Sequence, residues 1–348
     1  MTLSIRHHAT VALALGSIAV IFGAPPAGAD DFYKGKTVTF LIGYSVNNGY
    51  DTYSRLVARH IGKYLPGNPS VVPKNMPGAG SLLATNYLYN VAPRDGTILG
   101  MIDQASPVTQ LLGRKGLKAD ITKFNWIGRV TSNAAVLYGW HTAPVQHIRE
   151  AFKKELIISA PGQNSRILSN VLKELLGLNF RILTGYKGAG ESRLAMERGE
   201  VHALTQPWSV LRAQKPEWIR DKKVTLLLQV GVDSHPDLKG VPMVADLATT
   251  DEQRRLIYFF AGTSRIGRAV MSPPAQPGER VADLRAAFMK VMKDPQFLAE
   301  IARAKLDLDP MPGAELQAYI EKSVDYPPML VAKARKLAAA GGNRKKKK

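Results

Sequence analysis

The sequence of 348 residues contains no cysteine. This absence excludes thiol catalysis, cysteine-ligated metal sites and disulfides, so a hydrophobic core must stabilise the fold, and the chain is long enough to form one. The few histidines show no H-E-x-x-H or facial-triad spacing, so we expect no metal site. A G-x-S-x-G elbow and a P-loop lysine are also missing, and we expect neither a nucleophilic enzyme nor a bound cofactor.

Long apolar runs are absent except near the amino terminus. Residues 1–29 combine a basic start at Arg6, an apolar run over 11–23 and a small-residue cleavage site at 27–29. A membrane anchor is the alternative interpretation, but the run is short for a bilayer span and is followed by prolines at 25–26. We therefore predict a signal peptide cleaved near Ala29 and a soluble periplasmic protein without a lipid-anchoring cysteine.

Acidic residues are too few to balance the basic ones, and the formal net charge is +19. Part of the excess lies in residues 341–348, for which we expect a disordered basic tail. The remaining basic residues are interspersed with Asp and Glu and form no stripe with aromatic residues, so we expect no nucleic-acid partner. Such a charge instead favours attraction of anionic solutes or of an anionic membrane surface.

Apolar runs typical of strands alternate with segments of helical period, and this alternation predicts α/β layers. The first predicted strand spans 36–43, and a helix follows over 51–65. The strands predicted at 124–130 and 136–140 lie close together, as where a chain leaves one sheet for another. After Pro242 the pattern becomes mostly helical.

Three predicted strands end in small, polar, glycine-containing loops that each open a helix, at 43–51, 75–81 and 159–165. Such loops direct unpaired backbone N–H groups and the positive end of a helix dipole towards one place. For any single loop the alternative is ordinary turn chemistry, because Asn and Gly tolerate positive φ. Together the loops favour a site that holds a small anion through amides and hydroxyls, without a dedicated basic side chain.

Several short motifs, in this order and spacing, resemble the periplasmic solute receptors of tripartite tricarboxylate transporters, the Bug family. These motifs lie at 74–80, 92–97, 185–188, 199–201 and 293–295. The resemblance implies a type II periplasmic-binding-protein fold, with two α/β domains and a ligand in the cleft between them. It also implies that the chain returns to its first domain, which divides it into 30–131 (domain one), 132–244 (domain two) and 245–340 (domain one again).

The resemblance, combined with the three loops, predicts the ligand-binding residues. In domain one they are Tyr44, Ser45, Asn47, Asn48, Gly49, Asp51, Gly78, Ala79 and Gly80. In domain two they are Gly162, Gln163, Asn164, Ser165, Tyr186, Lys187, Gly188 and Trp208. Asp51 has two interpretations, a cap of the first helix or a contact to a ligand hydroxyl or ammonium group. Tyr44 and Trp208 are either core residues or an apolar wall of the cleft.

The function expected from these features is that of an extracytoplasmic receptor for a small organic anion, most favourably a mono- or dicarboxylate. The receptor would act as a monomer, close its two domains around the ligand and deliver it to the membrane subunits of a transporter. The first loop reads Asn-Asn-Gly-Tyr at 47–50 where the family usually has a Gly-Gly pair, so no relative's ligand can be transferred. The alternatives are a sensory receptor that signals to a membrane kinase, an exported enzyme and a polyanion-binding protein.

Overall fold

A computed structural model of the protein describes residues 32–161, 163–186 and 188–340. The predicted signal peptide and the predicted basic tail lie outside these residues. Among the helices of the described part, none combines the length and the apolar character needed to cross a bilayer.

The first segment of the chain forms alternating strands and helices. They are β1 (Thr37–Ile42), α1 (Gly49–Ile61), β2 (Ser70–Asn75), α2 (Leu82–Asn90), β3 (Ile98–Met101), α3 (Ser106–Leu111) and β4 (Asn125–Arg129). Short 3₁₀ turns lie at Gly62–Tyr64 and Ile121–Lys123. The predicted strands and helices of this segment occur within a few residues of their predicted positions.

The second segment repeats the alternation. Its elements are β5 (Ala135–Trp140), β6 (Leu156–Ser159), α4 (Gln163–Leu176), β7 (Phe180–Leu183), α5 (Ala189–Glu197), β8 (Ala203–Pro207), α6 (Trp208–Gln214), α7 (Pro216–Arg220) and β9 (Val224–Val230). Further 3₁₀ turns lie at Ile148–Phe152, Pro236–Leu238 and Val244–Leu247.

The last segment is mostly helical, as predicted, but it also contains strands. Its elements are α8 (Asp251–Ala261), α9 (Thr263–Ile266), β10 (Ala269–Ser272), α10 (Gly278–Val291), α11 (Pro295–Arg303), β11 (Met311–Pro312), α12 (Gly313–Lys322) and α13 (Pro328–Ala340). Strand β10, which has four residues and is buried along its whole length, was not predicted from the sequence. Because so short an apolar run has no clear period, only its position inside a sheet identifies it as a strand.

The strands form two sheets with related topologies. The first has the order β11-β4-β10-β3-β1-β2, and the second has the order β7-β6-β8-β5-β9. In the first sheet β1 is parallel to β2 and β3, and in the second β6 is parallel to β7 and β8. In each sheet the strand that enters after a crossing, β10 or β5, lies antiparallel to its neighbours. Loops that follow parallel strands therefore gather at one edge of each sheet.

Both sheets are covered by helices on both faces, so strands inside the sheets such as β3, β6 and β10 are buried along their whole length, whereas β2 at an edge is half-exposed. In β1 the side chains of Phe40 and Ile42 pack against α1 and α10, whereas Leu41 points to the opposite face, against α2 and α12. In β5 Leu137 faces the core that includes α4, and Tyr138 faces the core that includes α5 and α6. We refer to each sheet with its helices as the first and the second lobe.

Two crossing segments, residues 130–134 and 262–268, connect the lobes and lie side by side. The backbone N–H of Asn133 donates to the carbonyl of Ser264 over 2.8 Å. The backbone N–H of Arg268 donates to the carbonyl of Thr131 over 2.9 Å. Neither lobe can therefore move without bending this paired backbone.

Helix α8 differs from the predicted division of the chain, which assigned residues 245–340 to the first domain. Ile257 and Ala261 of α8 belong to the core of the second lobe, together with Val244 and Leu247 just before it. The apolar face of α8 is buried in the core of the second lobe. The chain therefore returns to the first sheet only after this helix. The other domain boundaries stay a prediction.

Gly267, in the second crossing segment, is a position that only glycine fits. Its φ is +54°, and a Cβ atom there would lie 2.0 Å from the carbonyl oxygen of Thr131.

We expect Gly267→Ala to lower the free energy of unfolding by about 3 kcal/mol or more, because alanine would suffer left-handed backbone strain and its Cβ atom would overlap with Thr131. Chemical denaturation measures this loss. Gly278→Ala is the control, since open space surrounds Gly278; equal stabilities of the two variants would contradict the interpretation.

Candidate functional site

A cavity of about 830 Å³ lies between the two lobes, beside the crossing segments. The loops after β1 and β3 line it from the first lobe, and the end of β8 and the start of α4 line it from the second. Polar side chains at this wall include Asn48, Asp103, Gln104, Thr109, Arg114, Asn133, Ser165, Thr205, Gln206, Ser264, Arg268 and Arg335. The cavity thus occupies the edge where the carboxyl ends of parallel strands meet, the usual ligand position in open α/β sheets.

Arg268 is the central charged group of this wall, and its side chain is only 7% exposed. The guanidinium lies over the ring of Tyr50, 4.0 Å from its centroid, and its Nη1 donates to Gln104 Oε1 over 3.3 Å. A Cβ atom at Gly49 would lie 3.2 Å from Arg268 Nη2, so glycine leaves room for the guanidinium.

The buried charge of Arg268 has no acidic partner in the described part of the chain. Its Nε makes no hydrogen bond there, and no described carboxylate forms an ion pair with it. A buried cation without an anion is costly, because it has lost its hydration without gaining a compensating charge. An anion in the cavity would supply that partner.

The second lobe presents two further polar groups that lack partners. Thr205 and Gln206 are 8% and 5% exposed, and neither Thr205 Oγ1 nor Gln206 Nε2 finds a hydrogen-bond partner among the described residues. Arg193 Nη1 donates to Gln206 Oε1 over 3.1 Å, which leaves the NH₂ group of this amide as the free donor. Buried polar groups are rarely left unpaired, so these two atoms are available to a molecule in the cavity.

Two tyrosines of the first lobe stack at the cavity wall. The rings of Tyr44 and Tyr50 lie 4.4 Å apart, with 13° between their planes. The Tyr44 hydroxyl donates to Asp103 Oδ2, and the backbone N–H of Ala105 donates to Asp103 Oδ1 over 2.6 Å. Burial, followed by the charge of Asp103, raises the pKa of both phenols well above the ordinary value. Both tyrosines are therefore neutral at physiological pH.

The structure places four of the predicted site residues at the cavity: Tyr44, Asn48, Gly49 and Ser165. Asn48 is the N-cap of α1, since its side chain accepts hydrogen bonds from the backbone N–H groups of Tyr50 (2.8 Å) and Asp51 (3.2 Å). Two other residues of the first loop, Ser45 and Asn47, are exposed and lie outside the lining.

Asp51 neither caps α1 nor lines the cavity. It accepts hydrogen bonds from the Asn47 backbone N–H (3.1 Å), Arg55 Nε (2.9 Å) and Asn75 Nδ2 (2.8 Å). Burial acts to raise the pKa of Asp51, but these hydrogen bonds outweigh it and lower the pKa overall. The carboxylate connects the first loop to the end of β2 and so supports the cavity wall from behind.

The second predicted loop, Gly78, Ala79 and Gly80, is exposed and lies outside the lining. It approaches the cavity only through Arg114, because a Cβ atom at Gly80 would lie 3.5 Å from Arg114 Nη1. All three residues have positive φ, which fits the alternative interpretation as turn chemistry.

The predicted residues of the second lobe are dispersed. Trp208 is a core residue, 4% exposed, and its Nε1 donates to Asp237 Oδ2 over 3.1 Å. Tyr186 packs against the same core, and Gly188 precedes α5. Gly162 and Lys187 lie outside the described residues, and so do the side chains of Gln163 and Asn164.

Asp103, Gln104, Thr205, Gln206 and Arg268 line the cavity but were not predicted from the sequence, and Arg268 places a basic side chain where none was expected. Asp103 and Gln104 directly follow a predicted strand, and Thr205 and Gln206 lie at the end of another. The rule that ligands bind at the carboxyl ends of parallel strands could have identified them. Arg268 gave no such signal, since it precedes a strand that was not predicted.

No protein-family model and no curated protein matches this chain. Several solved structures, by contrast, match this chain. The solute-binding protein TctC from Polaromonas has a TM-score of 0.66 at 17% identity, over 86% of this chain and 99% of that one. The periplasmic binding protein BugD has a TM-score of 0.61 at 17% identity, over 89% and 99%. An R. palustris protein with adipate has a TM-score of 0.60 at 18% identity, over 88% and 97%.

At these identities the comparison shows the fold. The chain has the fold of periplasmic solute-binding proteins, which confirms the predicted class of two α/β units of the type II periplasmic-binding-protein kind. The resemblance to TctC and Bug proteins, predicted from short motifs, is likewise confirmed as a structural likeness.

The raised pKa of Tyr44 predicts a dependence of stability on alkaline pH. The folded state disfavours the tyrosinate, so this contribution to stability is complete below about pH 10, the pKa of an unfolded tyrosine, and is lost as pH rises beyond it. We expect Tyr44→Phe to lose less stability than the wild type between about pH 9 and 11. Urea unfolding at each pH measures this, with the exposed Tyr258 as the control for a Phe substitution. Parallel losses in the wild type and Tyr44→Phe would refute the prediction.

Proposed function

We propose that this protein is an extracytoplasmic receptor that binds a small organic anion, most favourably a carboxylate, in the cavity between its lobes. The observation that carries the proposal is the buried guanidinium of Arg268, which faces the cavity without an acidic partner among the described residues. A carboxylate matches the planar fork of a guanidinium, and such charge-assisted hydrogen bonds are stronger than neutral ones.

The donors of both lobes support a mechanism of cleft closure. Arg268 is the last residue of the second crossing segment and packs on the first lobe, whereas Thr205 and Gln206 belong to the second lobe. A ligand that bonds to all three is held only when the lobes are close, so ligand binding shifts the population towards the closed form. We propose that the closed form delivers the ligand to the membrane subunits of a tripartite tricarboxylate-type transporter. The adipate in one similar structure supports a carboxylate ligand.

The role of Arg268 is tested by Arg268→Gln. A thermal-shift panel of aliphatic and aromatic mono-, di- and tricarboxylates first identifies ligands of the exported form through linkage between binding and stability. For those ligands we expect Arg268→Gln to weaken binding by about 2–5 kcal/mol, more than tenfold in Kd, because a buried charge pair is removed. Isothermal titration calorimetry measures the change.

Arg265→Gln is the matched control for charge. Arg265 lies three residues earlier, is 37% exposed and pairs with Asp233 outside the cavity lining. We expect the affinity of the Arg265→Gln variant for carboxylates to equal that of the wild type. A folded wild-type protein that responds to no carboxylate, or an Arg268→Gln variant with undiminished affinity, would refute the proposal.

Closure is tested by removing the donors of the second lobe. A hydrogen bond to a charged group contributes about 1.5–3 kcal/mol, so we expect Gln206→Ala to weaken carboxylate binding roughly tenfold or more. Small-angle X-ray scattering should show a ligand-dependent decrease in the radius of gyration in the wild type and a smaller decrease in the variant at equal ligand concentration. Thr225→Val, on the same sheet but outside the lining, is the control. An unchanged affinity of Gln206→Ala would exclude this contact.

A further inference from the structure

One face of α3, together with the two residues that flank this helix, lines the cavity. Ala105, Val108, Thr109 and Leu112 all line it. Their spacing of three, four and seven residues is that of a single helical face. Gln104, which also lines the cavity, lies at the amino end of this face. Leu111, whose carbonyl belongs to the last turn of α3, marks the opposite end.

A guanidinium lies at each end of this face. At the amino end Arg268 donates to the Gln104 side chain over 3.3 Å. At the carboxyl end Arg335 of α13 donates to the carbonyl of Leu111 through Nη2 (2.8 Å) and Nε (3.1 Å), and it also lines the cavity. Leu111 follows Gln104 by seven residues, which corresponds to roughly 10 Å at the rise of a helix.

Arg114 adds a second cation at the carboxyl end. It lines the cavity and follows Gly113, where a Cβ atom would lie 3.5 Å from Arg335 Nη2. Its backbone N–H donates to the carbonyl of Thr109 over 3.2 Å, which keeps the residue at the end of α3. Two guanidinium groups therefore lie near the same end of the cavity.

These three arginines differ from those that stabilise the fold. Arg55, Arg129 and Arg280 each form an ion pair with a carboxylate, at 2.9, 2.7 and 3.0 Å. By contrast, no carboxylate of the described residues forms an ion pair with Arg114, Arg268 or Arg335.

Acidic groups at the cavity are scarce. Asp103 is the single acidic side chain among the described lining residues, and its oxygens already accept hydrogen bonds from Tyr44 and Ala105. Positive charge thus exceeds negative charge at the wall, and it is concentrated at the two ends of the α3 face.

Between the two ends, the side chains of the α3 face are apolar except for Thr109. Val108 and Leu112 of α3 face the cavity, and Ile167, Leu168 and Phe260 line it from the second lobe. Such a wall stabilises hydrocarbon and offers few partners to polar groups in the middle of a ligand. Charge at both ends with apolar surface between them defines the shape of a matching ligand.

We propose that Arg114 and Arg335 form a second anion subsite, and that the ligand is a dianion whose acidic groups lie roughly 10 Å apart on an apolar body. This inference rests on the proposed function, since Arg268 is the first subsite. A dianion neutralises the excess of cations, and its apolar body replaces water along α3. The site therefore selects ligands by the distance between two acidic groups.

Three acids test this selection on the purified full chain. Sebacate carries a carboxylate at each end of a ten-carbon chain, decanoate has the same length with one carboxylate, and succinate has two that are too close together to reach both ends. We expect the wild type to bind sebacate about 10- to 100-fold more tightly than decanoate, the ratio that one charged hydrogen-bonded contact provides. Isothermal titration calorimetry measures all three affinities.

The double variant Arg114→Gln/Arg335→Gln removes the second subsite and keeps groups that can donate hydrogen bonds to nearby carbonyls. We expect it to lower the affinity for sebacate to that for decanoate, and to leave decanoate and succinate within about threefold of the wild type. Unchanged decanoate binding also shows that the variant is folded. The control Arg149→Gln/Arg303→Gln removes two exposed arginines outside the cavity and should retain the preference for sebacate.

The outcomes separate this inference from the proposed function. If succinate and decanoate bind through Arg268 but sebacate is not preferred, or if the double variant retains that preference, only the second subsite is refuted. If a folded wild-type protein binds none of the three acids, the second subsite is refuted, and the wider carboxylate panel then decides the proposed function.

Discussion

The interaction on which the rest of the structure depends is the placement of the Arg268 guanidinium over the Tyr50 ring. This contact holds a buried cation beside the amino end of α1 and the loop after β3, although no carboxylate of the described residues forms an ion pair with it. The position is set by the backbone on either side, since Gly267 allows the crossing segments to approach and Thr131 accepts the Arg268 N–H. The position of this cation at the cavity is thus a consequence of how the chain crosses between its sheets.

The lobes are also connected by a shared hydrophobic cluster. Leu330, Val331 and Ala334 of α13 pack with Leu256 and Phe259 of α8 in one buried group, against which residues of α3 and α4 also pack. Helix α13 therefore contacts elements of both lobes and contributes Arg335 to the cavity wall. A displacement of α13 would therefore change both the packing between the lobes and the wall of the cavity.

Much of the fold was predictable because local patterns and tertiary structure agree. Strands β1, β6 and β9 and helices α1 and α4 occur as expected from their apolar runs and faces. Each of these elements buries its apolar side in the core of a lobe.

The candidate site was less predictable. Asn48 and Gly49 could be identified from a loop that opens a helix, but the same reasoning also selected the exposed turn at Gly80, because local turn chemistry has one signature in both places.

By itself the sequence determined the α/β alternation, the loops that open helices and a composition without thiols or recognisable catalytic motifs, because these depend on residues close together along the chain. The tertiary structure alone decided that Arg268, Gln104 and Gln206 meet at one cavity and that Arg335 joins them. These residues lie far apart in sequence and converge because β10 inserts antiparallel into the first sheet and α13 packs across both lobes. Long-range strand pairing and helix packing leave no local pattern, so the charge of the site emerges only in the folded chain.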